Sequence, residues 1–255
     1  MKSPCTIDVR TEKTGVLREI RGATEPEQAH QVAAHLIRQA LDEAQKEALR
    51  LEEKFSRFRT GNLVHHINQG ASVQLDTEFE QLLNYAKDCH SISNGLFDIT
   101  SGPLKKIWSF HEGFHFPDDR TIQKALPFVG FDKIHWSQST LQLPKGMELD
   151  FGGLVKEYAV DRCALILSEK LPTLDFLIHF GGDLFMKGSH TIGIENPKKL
   201  NDAIASIQLS NTGIATSGTS RQYIEKEGVR YSHILNPRTG YPIENAPLSV
   251  TVVAP

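Results

Sequence analysis

The chain has 255 residues, of which 39% are hydrophobic and 23% are charged, and its formal net charge is −3. These values are ordinary for a globular protein with one large domain or two closely packed subdomains, and they do not indicate a basic surface for nucleic acid. No stretch approaches the roughly 20 apolar residues that cross a bilayer, and the start lacks the apolar segment of a signal peptide, so we expect a cytoplasmic protein.

The N-terminal part of the chain is predicted to form a β-hairpin followed by a long helix. Alternating residues and a possible turn at Lys13-Thr14-Gly15 predict the hairpin over 3–23. A stripe of apolar residues at helical spacing, with Pro26 suited to the first turn, predicts the helix over about 26–55. We expect this stripe to belong to the core.

A second helix is predicted over 78–93. Thr77 and Glu80 form a sequence pattern typical of a capping box, and Asn94-Gly95 is a left-handed stop signal. Residues 96–146 have no clear periodicity, and we expect long loops there.

The second half of the chain contains several short apolar segments that alternate with turns and one helix. The helix is expected directly after Gly152-Gly153. Strands are expected at Met147–Phe151, Phe176–Phe180, Ile192–Glu195, Ala203–Leu209, Tyr231–Leu235 and Leu248–Val253. Because helices and strands do not alternate strictly, the sequence predicts an α+β fold with mixed or antiparallel sheets.

The most informative segment runs from Asp150 to Asp161. Gly152-Gly153 lies between the expected strand and helix, where glycines let the backbone approach a ligand and free N–H groups attract phosphate. Lys156 is placed to neutralise a pyrophosphate, and Asp161 to bind a base or a ribose. A plain turn with a solvated lysine explains the same residues, and the glycine spacing fits neither a Rossmann fingerprint nor a P-loop.

Two further glycine-marked turns are predicted next to apolar strands, at Gly181-Gly182-Asp183 and at Gly213–Ser220. Gly181-Gly182-Asp183 offers a permissive backbone and a carboxylate for a ribose hydroxyl, although such a pair is often only a turn. Gly213–Ser220 is expected to bring hydroxyl and backbone N–H groups together, which suits a phosphate oxygen.

The histidines of the sequence have to be considered as proton-transfer residues and as metal ligands. His233 precedes an N-P-R-T-G turn and is either a proton-transfer residue or a core histidine bonded to a carbonyl. His65-His66 and the His111/His115 pair lack partners at ligand spacing, so we expect no zinc site.

In their order and joint presence these segments resemble the ApbE family along nearly the whole chain. The resemblance rests on D-F-G-G-L-V-K-E-Y-A-V-D at 150–161, G-G-D at 181–183, A-T-S-G at 215–218, H-I-L-N-P-R-T-G-Y-P at 233–242, F-D-I-T-S-G-P-L at 97–104, and S-R-F with a later I-N at 56–58 and 67–68.

The resemblance implies a single domain over 1–255, made of two intimately packed subdomains with the FAD-binding core at about 95–255. It implies a transferase that moves the FMN part of FAD to a threonine of an acceptor protein, with Mg²⁺ and with release of AMP. His233 would assist proton transfer, and Gly153 would give the metal a carbonyl oxygen. The implied FAD-binding residues are Leu96, Phe97, Asp98, Asp150, Lys156, Asp161, Gly182, Asp183, Thr216, Ser217 and Gly218.

Three departures from the family pattern matter. Glu157 replaces a common glycine, and Asn236 replaces a common aspartate. Family members continue after the strand at Ser249–Val252 with A-D-A-x-x-T, whose Asp and Thr bind the metal, and the sequence printed here stops at Pro255 ahead of it. We therefore expect either a fragment or a flavin-binding protein with a weakened metal site. An FAD pyrophosphatase and a non-enzymatic FAD-binding protein remain the alternatives to the transferase.

Overall fold

The computed structural model describes residues 5–10, 26–108, 116–137, 139–219, 223–226 and 229–254. The chain divides into two compact units, and each is described by itself. The sheet unit takes its described residues from Met1–Glu52, Val155–Ser217 and Ser249–Pro255, and the helical unit takes them from Glu53–Leu154 and Gly218–Leu248.

The sheet unit is built on a five-stranded sheet. In their order across the sheet, the strands are β1 (Cys5–Arg10), β5 (Asp175–Phe180), β6 (Asp183–Glu195), β7 (Ala203–Gly218) and β10 (Ser249–Ala254). β5 pairs antiparallel with both β1 and β6. The sheet brings Asp183, the first residue of β6, opposite Ala215 of β7.

Two helices belong to this unit. Most of α1 (Pro26–Phe55) and all of α6 (Val155–Lys170) lie in it. Cys163 of α6 is buried and its thiol donates to the carbonyl of Ala44 of α1, 3.3 Å away. The small side chains along α1, such as Ala40 and Ala44, let the helices approach closely and form the core.

The helical unit contains short elements. Its helices are α2 (Leu63–Asn68), α3 (Thr77–Ile92), α4 (Gly102–Ile107) and α5 (Asp119–Ala125), with 3₁₀ turns at Leu126–Phe128 and Phe131–Lys133. Its strands are β2 (Val73–Gln74), β3 (Trp136–Ser137) and β4 (Thr140–Leu141), which form one sheet, and β8 (Tyr223–Lys226) and β9 (Val229–Ser232), which form another.

Trp108 belongs to a buried apolar cluster of the helical unit. It is buried, its indole N–H donates to the carbonyl of Gly240 at 2.8 Å, and Leu104 and Ile122 pack into the same cluster. A buried tryptophan that also satisfies its N–H holds two distant segments of the chain together.

The α+β prediction is confirmed, and so are the long helix at 26–55, the helix after Gly152-Gly153 and the left-handed conformation at Asn94-Gly95. The first strand of the expected hairpin exists as β1, while its turn and return strand lie outside the described residues. None of the helices in the described ranges combines the length and hydropathy of a membrane span.

Other predictions were wrong. The cap of α3 is Asp76, whose side chain accepts from the N–H of Phe79, rather than a capping box at Thr77 and Glu80. The expected strand at Met147–Phe151 is reduced to a single bridge between Ser101 and Glu148. The region 96–146 contains the short helices and strands given above, which are too brief to show periodicity.

The predicted turn at Gly213–Ser220 is also absent up to Gly218. The residues continue β7 to that glycine, so the A-T-S-G segment lies on a strand. β-Branched Ile214 and Thr216 favour this extended backbone.

Candidate functional site

In the helical unit, Asp150 fixes the turn that precedes α6. Its carboxylate lies 2.9 Å from the Lys105 ammonium and 3.1 Å from the Arg57 guanidinium, and it accepts from the N–H of Gly152 at 2.8 Å. Burial by itself would raise the pKa of Asp150, but the charges of Lys105 and Arg57 outweigh it and hold the pKa below its usual value. Asp150 is therefore ionised and fully engaged by protein groups.

Asp98, another predicted FAD residue, is also engaged. One carboxylate oxygen accepts from the hydroxyl and the N–H of Thr100, and the other accepts from the N–H of Phe131 at 3.0 Å. Asp98 is 8% exposed. These bonds connect the segment at 97–100 to the loop before Trp136. The Asp98 carboxylate therefore stabilises the local backbone.

The remaining predicted residues of this unit differ in accessibility. Leu96 is about half exposed, and Phe97 is partly buried with its N–H donating to Ser93 Oγ at 2.9 Å. A Cβ built on Gly153 would lie 3.5 Å from the Phe97 ring, so the aromatic ring packs over this turn. His233 follows β9 and is partly buried, and Gly218 ends β7.

The helical unit also holds a cavity of about 870 Å³. Asp98 and Gly95 belong to its wall, together with His90, Phe131 and Arg238. The His90 and Phe131 rings stack with centroids 5.3 Å apart. Its volume lies within the range of small-molecule sites, and its wall mixes aromatic and charged side chains.

In the sheet unit, Lys156 and Asp183 form an ion pair at the start of α6. Lys156 lies in the first turn of α6, and its ammonium is 3.3 Å from Oδ2 of Asp183 at the start of β6. Although Asp183 is only 5% exposed, this oxygen accepts no well-aligned hydrogen bond from any described residue. Burial raises the pKa of Asp183, while Lys156 and His179 act in the opposite direction.

Glu157 adds a second carboxylate beside this pair. It is partly buried, and its Oε2 is enclosed without a hydrogen-bond partner in the described part of the chain. Burial and the neighbouring charge of Asp183 raise the pKa of Glu157. Asp161, one helical turn further, also has a raised pKa because of partial burial.

The turn before Asp183 depends on Gly182. Its φ is +113°, and a Cβ there would lie 3.0 Å from the carbonyl oxygen of Thr216. Thr216 donates its N–H to the Gly182 carbonyl at 2.9 Å, and its hydroxyl is 3.0 Å from that of Thr251. Ser217 is exposed. The structure therefore brings Gly182, Asp183 and Thr216 together.

The resemblance implies that Gly153 gives a carbonyl oxygen to a magnesium ion. Mg²⁺ prefers six oxygen ligands, usually with carboxylates among them. Across the described ranges, no three His, Cys, Asp or Glu side chains form a group that could hold a metal ion. Asp150 is committed to Lys105 and Arg57. The described residues therefore do not fit a complete Mg²⁺ site, and the Gly153 carbonyl remains a predicted ligand.

Comparison with known proteins shows to which family the chain belongs. The family model described as "ApbE family" matches residues 1–255. The chain belongs to the ApbE family. It is 34% identical over 215 residues to the FAD:protein FMN transferase of Klebsiella pneumoniae, covering 80% of this chain and 67% of that protein. It is 30% identical over 228 residues to the FAD:protein FMN transferase of Haemophilus influenzae, covering 79% and 64%.

Solved ApbE structures share the fold. The ApbE protein of Thermotoga maritima superposes with a TM-score of 0.78 at 30% identity, covering 85% of this chain and 74% of that one. The apo flavinyl transferase ApbE of Pseudomonas stutzeri gives a TM-score of 0.72 at 23% identity, covering 99% and 80%. The chain spans about two thirds of the length of the curated relatives that it matches.

Two groups of functional interest were not predicted from the sequence. Arg57 and Lys105 hold Asp150 from segments that are distant along the chain. Both lie inside blocks that resemble the family or directly next to one, which was the available signal. Glu157 was visible only as a departure from the family's glycine, and its burial near Asp183 could not be read from that substitution.

Proposed function

We propose that this ApbE family member transfers the FMN part of FAD to a threonine hydroxyl of an acceptor protein. The observation that carries the proposal is the start of α6, where Lys156 follows the Gly152-Gly153 turn and lies beside the buried carboxylate of Asp183. A helix start with free N–H groups and a lysine attracts a pyrophosphate. The names of the relatives favour transfer over FAD hydrolysis or simple FAD binding.

The chemistry is a substitution at phosphorus. The threonine oxygen forms a bond to the phosphorus on the riboflavin side, the bridging P–O bond breaks, and AMP leaves with that oxygen. The hydroxyl proton passes to a base, for which we propose His233, because an imidazole titrates near neutral pH. Lys156 would hold the phosphates by a charge-assisted contact, and Gly182, Asp183, Thr216, Ser217 and Gly218 would line the FAD site with Asp161.

Leu96, Phe97, Asp98 and Asp150 are the other FAD residues that we propose. Leu96 and Phe97 offer exposed and partly exposed apolar surface to the ligand, whereas Asp98 and Asp150 would act mainly by fixing the backbone around it. This division follows from the hydrogen bonds and ion pairs that already occupy both carboxylates.

We also propose that Mg²⁺ assists the reaction, as the resemblance implies. A cation on the phosphate oxygens offsets the charge that develops on the leaving group. The described residues supply at most the Gly153 carbonyl to such an ion, so a dependence on added Mg²⁺ has to be measured directly. The single-domain organisation and the cytoplasmic location remain predictions.

The test is intact-mass spectrometry of an acceptor domain that carries FMN on threonine in its mature form. The domain is incubated with this protein, FAD and Mg²⁺, with and without EDTA, and the Klebsiella pneumoniae relative serves as the positive control. We expect a mass increase of one FMN phosphodiester together with AMP, and we expect EDTA to abolish it. An acceptor modified by the relative and left unmodified by this chain would contradict the proposal, and free FMN with no acceptor adduct would favour hydrolysis.

His233→Ala tests the assigned base. Removing a positioned proton acceptor typically slows such a step by about 10²–10⁴-fold. We therefore expect transfer to slow by this factor while the FAD dissociation constant stays unchanged, measured by acceptor mass and by flavin fluorescence. His66→Ala, at an exposed position of α2, is the control and should transfer at the parental rate. A parental rate in His233→Ala would assign that residue to the structure alone.

A further inference from the structure

One face of α3 lines the cavity of the helical unit. Lys87, His90 and Ser91 belong to the cavity wall and are spaced i, i+3 and i+4 along the helix, so their side chains are neighbours on the same face. Phe131 and Trp136 also belong to the wall. The volume of about 870 Å³ is sufficient for a small organic molecule.

Two nitrogen atoms converge on one point beside Gly95. A Cβ built on Gly95 would lie 3.3 Å from Nε2 of His90 and 3.7 Å from Nη2 of Arg238. Gly95 has no such atom, and its φ of +77° disfavours any residue that would supply one. This point of the cavity therefore faces an imidazole and a guanidinium. A guanidinium always donates hydrogen bonds, and an imidazole nitrogen does so when it carries a proton.

His90 and Arg238 do not use all of their donors on the described residues. Nε2 of His90 is 3.8 Å from Oδ2 of Asp98, which is beyond hydrogen-bond distance. Arg238 donates from Nη2 to the carbonyl of Asn94, and a guanidinium has five N–H groups. Both side chains can therefore donate to a bound anion. Lys87 adds an exposed ammonium one helical turn before His90.

Two carboxylates in the wall do not cancel these positive groups. Asp98 accepts from the hydroxyl and the N–H of Thr100 and from the N–H of Phe131, so three donors balance its charge. Asp132 is exposed on the 3₁₀ turn at Phe131–Lys133, where solvent and salt screen its charge. The cationic side chains remain available to a ligand.

Aromatic rings lie next to the donors. The His90 ring stacks on Phe131, with centroids 5.3 Å apart and an interplanar angle of 27°. Phe131 in turn meets Trp136 edge to face, at 6.3 Å and 87°. Phe131 is buried, whereas Trp136 is only partly buried, so part of the indole is accessible. An accessible indole can stack on a planar ring of a ligand, including a nucleobase.

The residues of this cavity differ from those proposed for FAD. The described wall includes Asp98 but not Leu96, Phe97 or Asp150. The Asp98 carboxylate is already engaged by backbone and hydroxyl donors. The cavity is therefore a candidate for a second ligand rather than for the FAD of the proposed reaction.

We propose that this cavity binds a small molecule that joins a phosphate group to a planar aromatic ring, as a nucleoside monophosphate does. The phosphate binds beside Gly95, where His90 and Arg238 donate to its oxygens and Lys87 adds a positive charge. The aromatic ring packs against Trp136. The site binds its ligand whether or not FAD is a substrate, and no covalent step is involved.

The experiment follows the tryptophan fluorescence of the full chain during titration with AMP, adenosine and inorganic phosphate. Trp108 is buried, and Trp136 belongs to the cavity wall. We therefore expect AMP to quench the fluorescence of the parent but not that of Trp136→Phe. Adenosine and phosphate should each bind more weakly than AMP by about tenfold or more, because each lacks one half of the ligand.

Two variants test the phosphate contacts. His90→Phe keeps a ring that can stack on Phe131 and removes the nitrogen, so the AMP dissociation constant should rise by about tenfold or more. Lys87→Ala removes an exposed charge and should raise it by about twofold to fivefold. Lys124→Ala, at an exposed position of α5 outside the described wall, is the matched control and should bind AMP as the parent does.

AMP is also part of FAD, so the titration is repeated with Lys156→Ala. We expect unchanged AMP binding in this variant, whereas its loss would place the nucleotide at the start of α6 and overturn the inference. A parent without a response that depends on Trp136, or equal AMP affinity in the parent, His90→Phe and Lys87→Ala, would also overturn it. Failure of flavin transfer would leave these titrations unaffected and would contradict only the proposed function.

Discussion

Two buried aspartates, one in each unit, have their pKa values shifted in opposite directions by their surroundings. Asp150 in the helical unit meets two cationic side chains and a backbone N–H, and its pKa is lowered. Asp183 in the sheet unit meets one lysine, leaves an oxygen without a hydrogen bond among the described residues, and has a raised pKa. Their exposures are similar, at 8% and 5%.

The difference separates a fully paired carboxylate from one that is incompletely paired. A buried ion that is fully paired fixes the local backbone, and its loss is costly. A buried ion that is incompletely paired stores unfavourable free energy that a ligand or a proton can release, and such groups are concentrated at functional sites. Burial alone does not distinguish the two, because the partners decide.

The largest expected effect comes from the isosteric pair Asp150→Asn and Asp183→Asn. Asp150→Asn leaves Lys105 and Arg57 without their counter-charge and should lower the free energy of unfolding by about 2–4 kcal/mol at neutral pH. Asp183→Asn removes an incompletely paired charge and should change it by less than about 1 kcal/mol. Urea denaturation of both variants measures the contrast.

The pH dependence of Asp150→Asn has a defined sign. Because the folded-state pKa of Asp150 lies below the unfolded value of 3.8, its contribution to stability is present above that value and is lost as the pH falls through the folded pKa. The difference between parent and variant should therefore shrink in acid below about pH 4. A difference that is equal at acid and neutral pH would mean that Asp150 acts without its charge.

A smaller effect is expected when the turn that presents Asp183 is changed. Gly182→Ala puts a side chain at φ +113° and brings its Cβ to 3.0 Å from the Thr216 carbonyl, which should cost about 1–3 kcal/mol. Gly153→Ala is the control, since its Cβ makes an ordinary 3.5 Å contact with Phe97. Thermal unfolding of the two variants checks this, and equal melting temperatures would contradict the assigned strain.

The smallest effect is expected from Glu157→Gln in the ligand-free protein. The folded-state pKa of Glu157 is raised above 4.5, so the parent is relatively more stable below that pH and loses stability as the pH rises through the folded pKa. Glu157→Gln should therefore be more stable than the parent by about 1 kcal/mol at pH 8 and equal to it near pH 4. Denaturation curves at the two pH values measure the difference, and a variant less stable at pH 8 would show that the ionised Glu157 has partners that stabilise it.

Local patterns in the sequence predicted the elements that have strong periodicity or clear punctuation. The stripe of α1, the Gly152-Gly153 turn before α6 and the stop at Asn94-Gly95 were all foreseen. The A-T-S-G segment was misread as a turn because glycine and serine suggest one, whereas pairing with β6 keeps it extended. Register between strands is a tertiary property that a single segment does not reveal.

The sequence singled out Lys156 and Asp183 separately, but it did not reveal that the two side chains form an ion pair. The partners of Asp150 and the burial of Glu157 come from packing between distant segments. These long-range contacts decide which carboxylate is fully paired and which is not.

The FAD dissociation constant of Lys156→Ala tests the central claim most directly, with Lys170→Ala as its control. Both lysines lie on α6, their side chains are 47% and 45% exposed, and each is ion-paired with one carboxylate. Loss of a charge-assisted phosphate contact of about 1.5–3 kcal/mol should weaken FAD binding by about 10- to 150-fold in Lys156→Ala, while Lys170→Ala binds as the parent does. An unchanged dissociation constant in Lys156→Ala would contradict the assignment of the α6 start as the phosphate site.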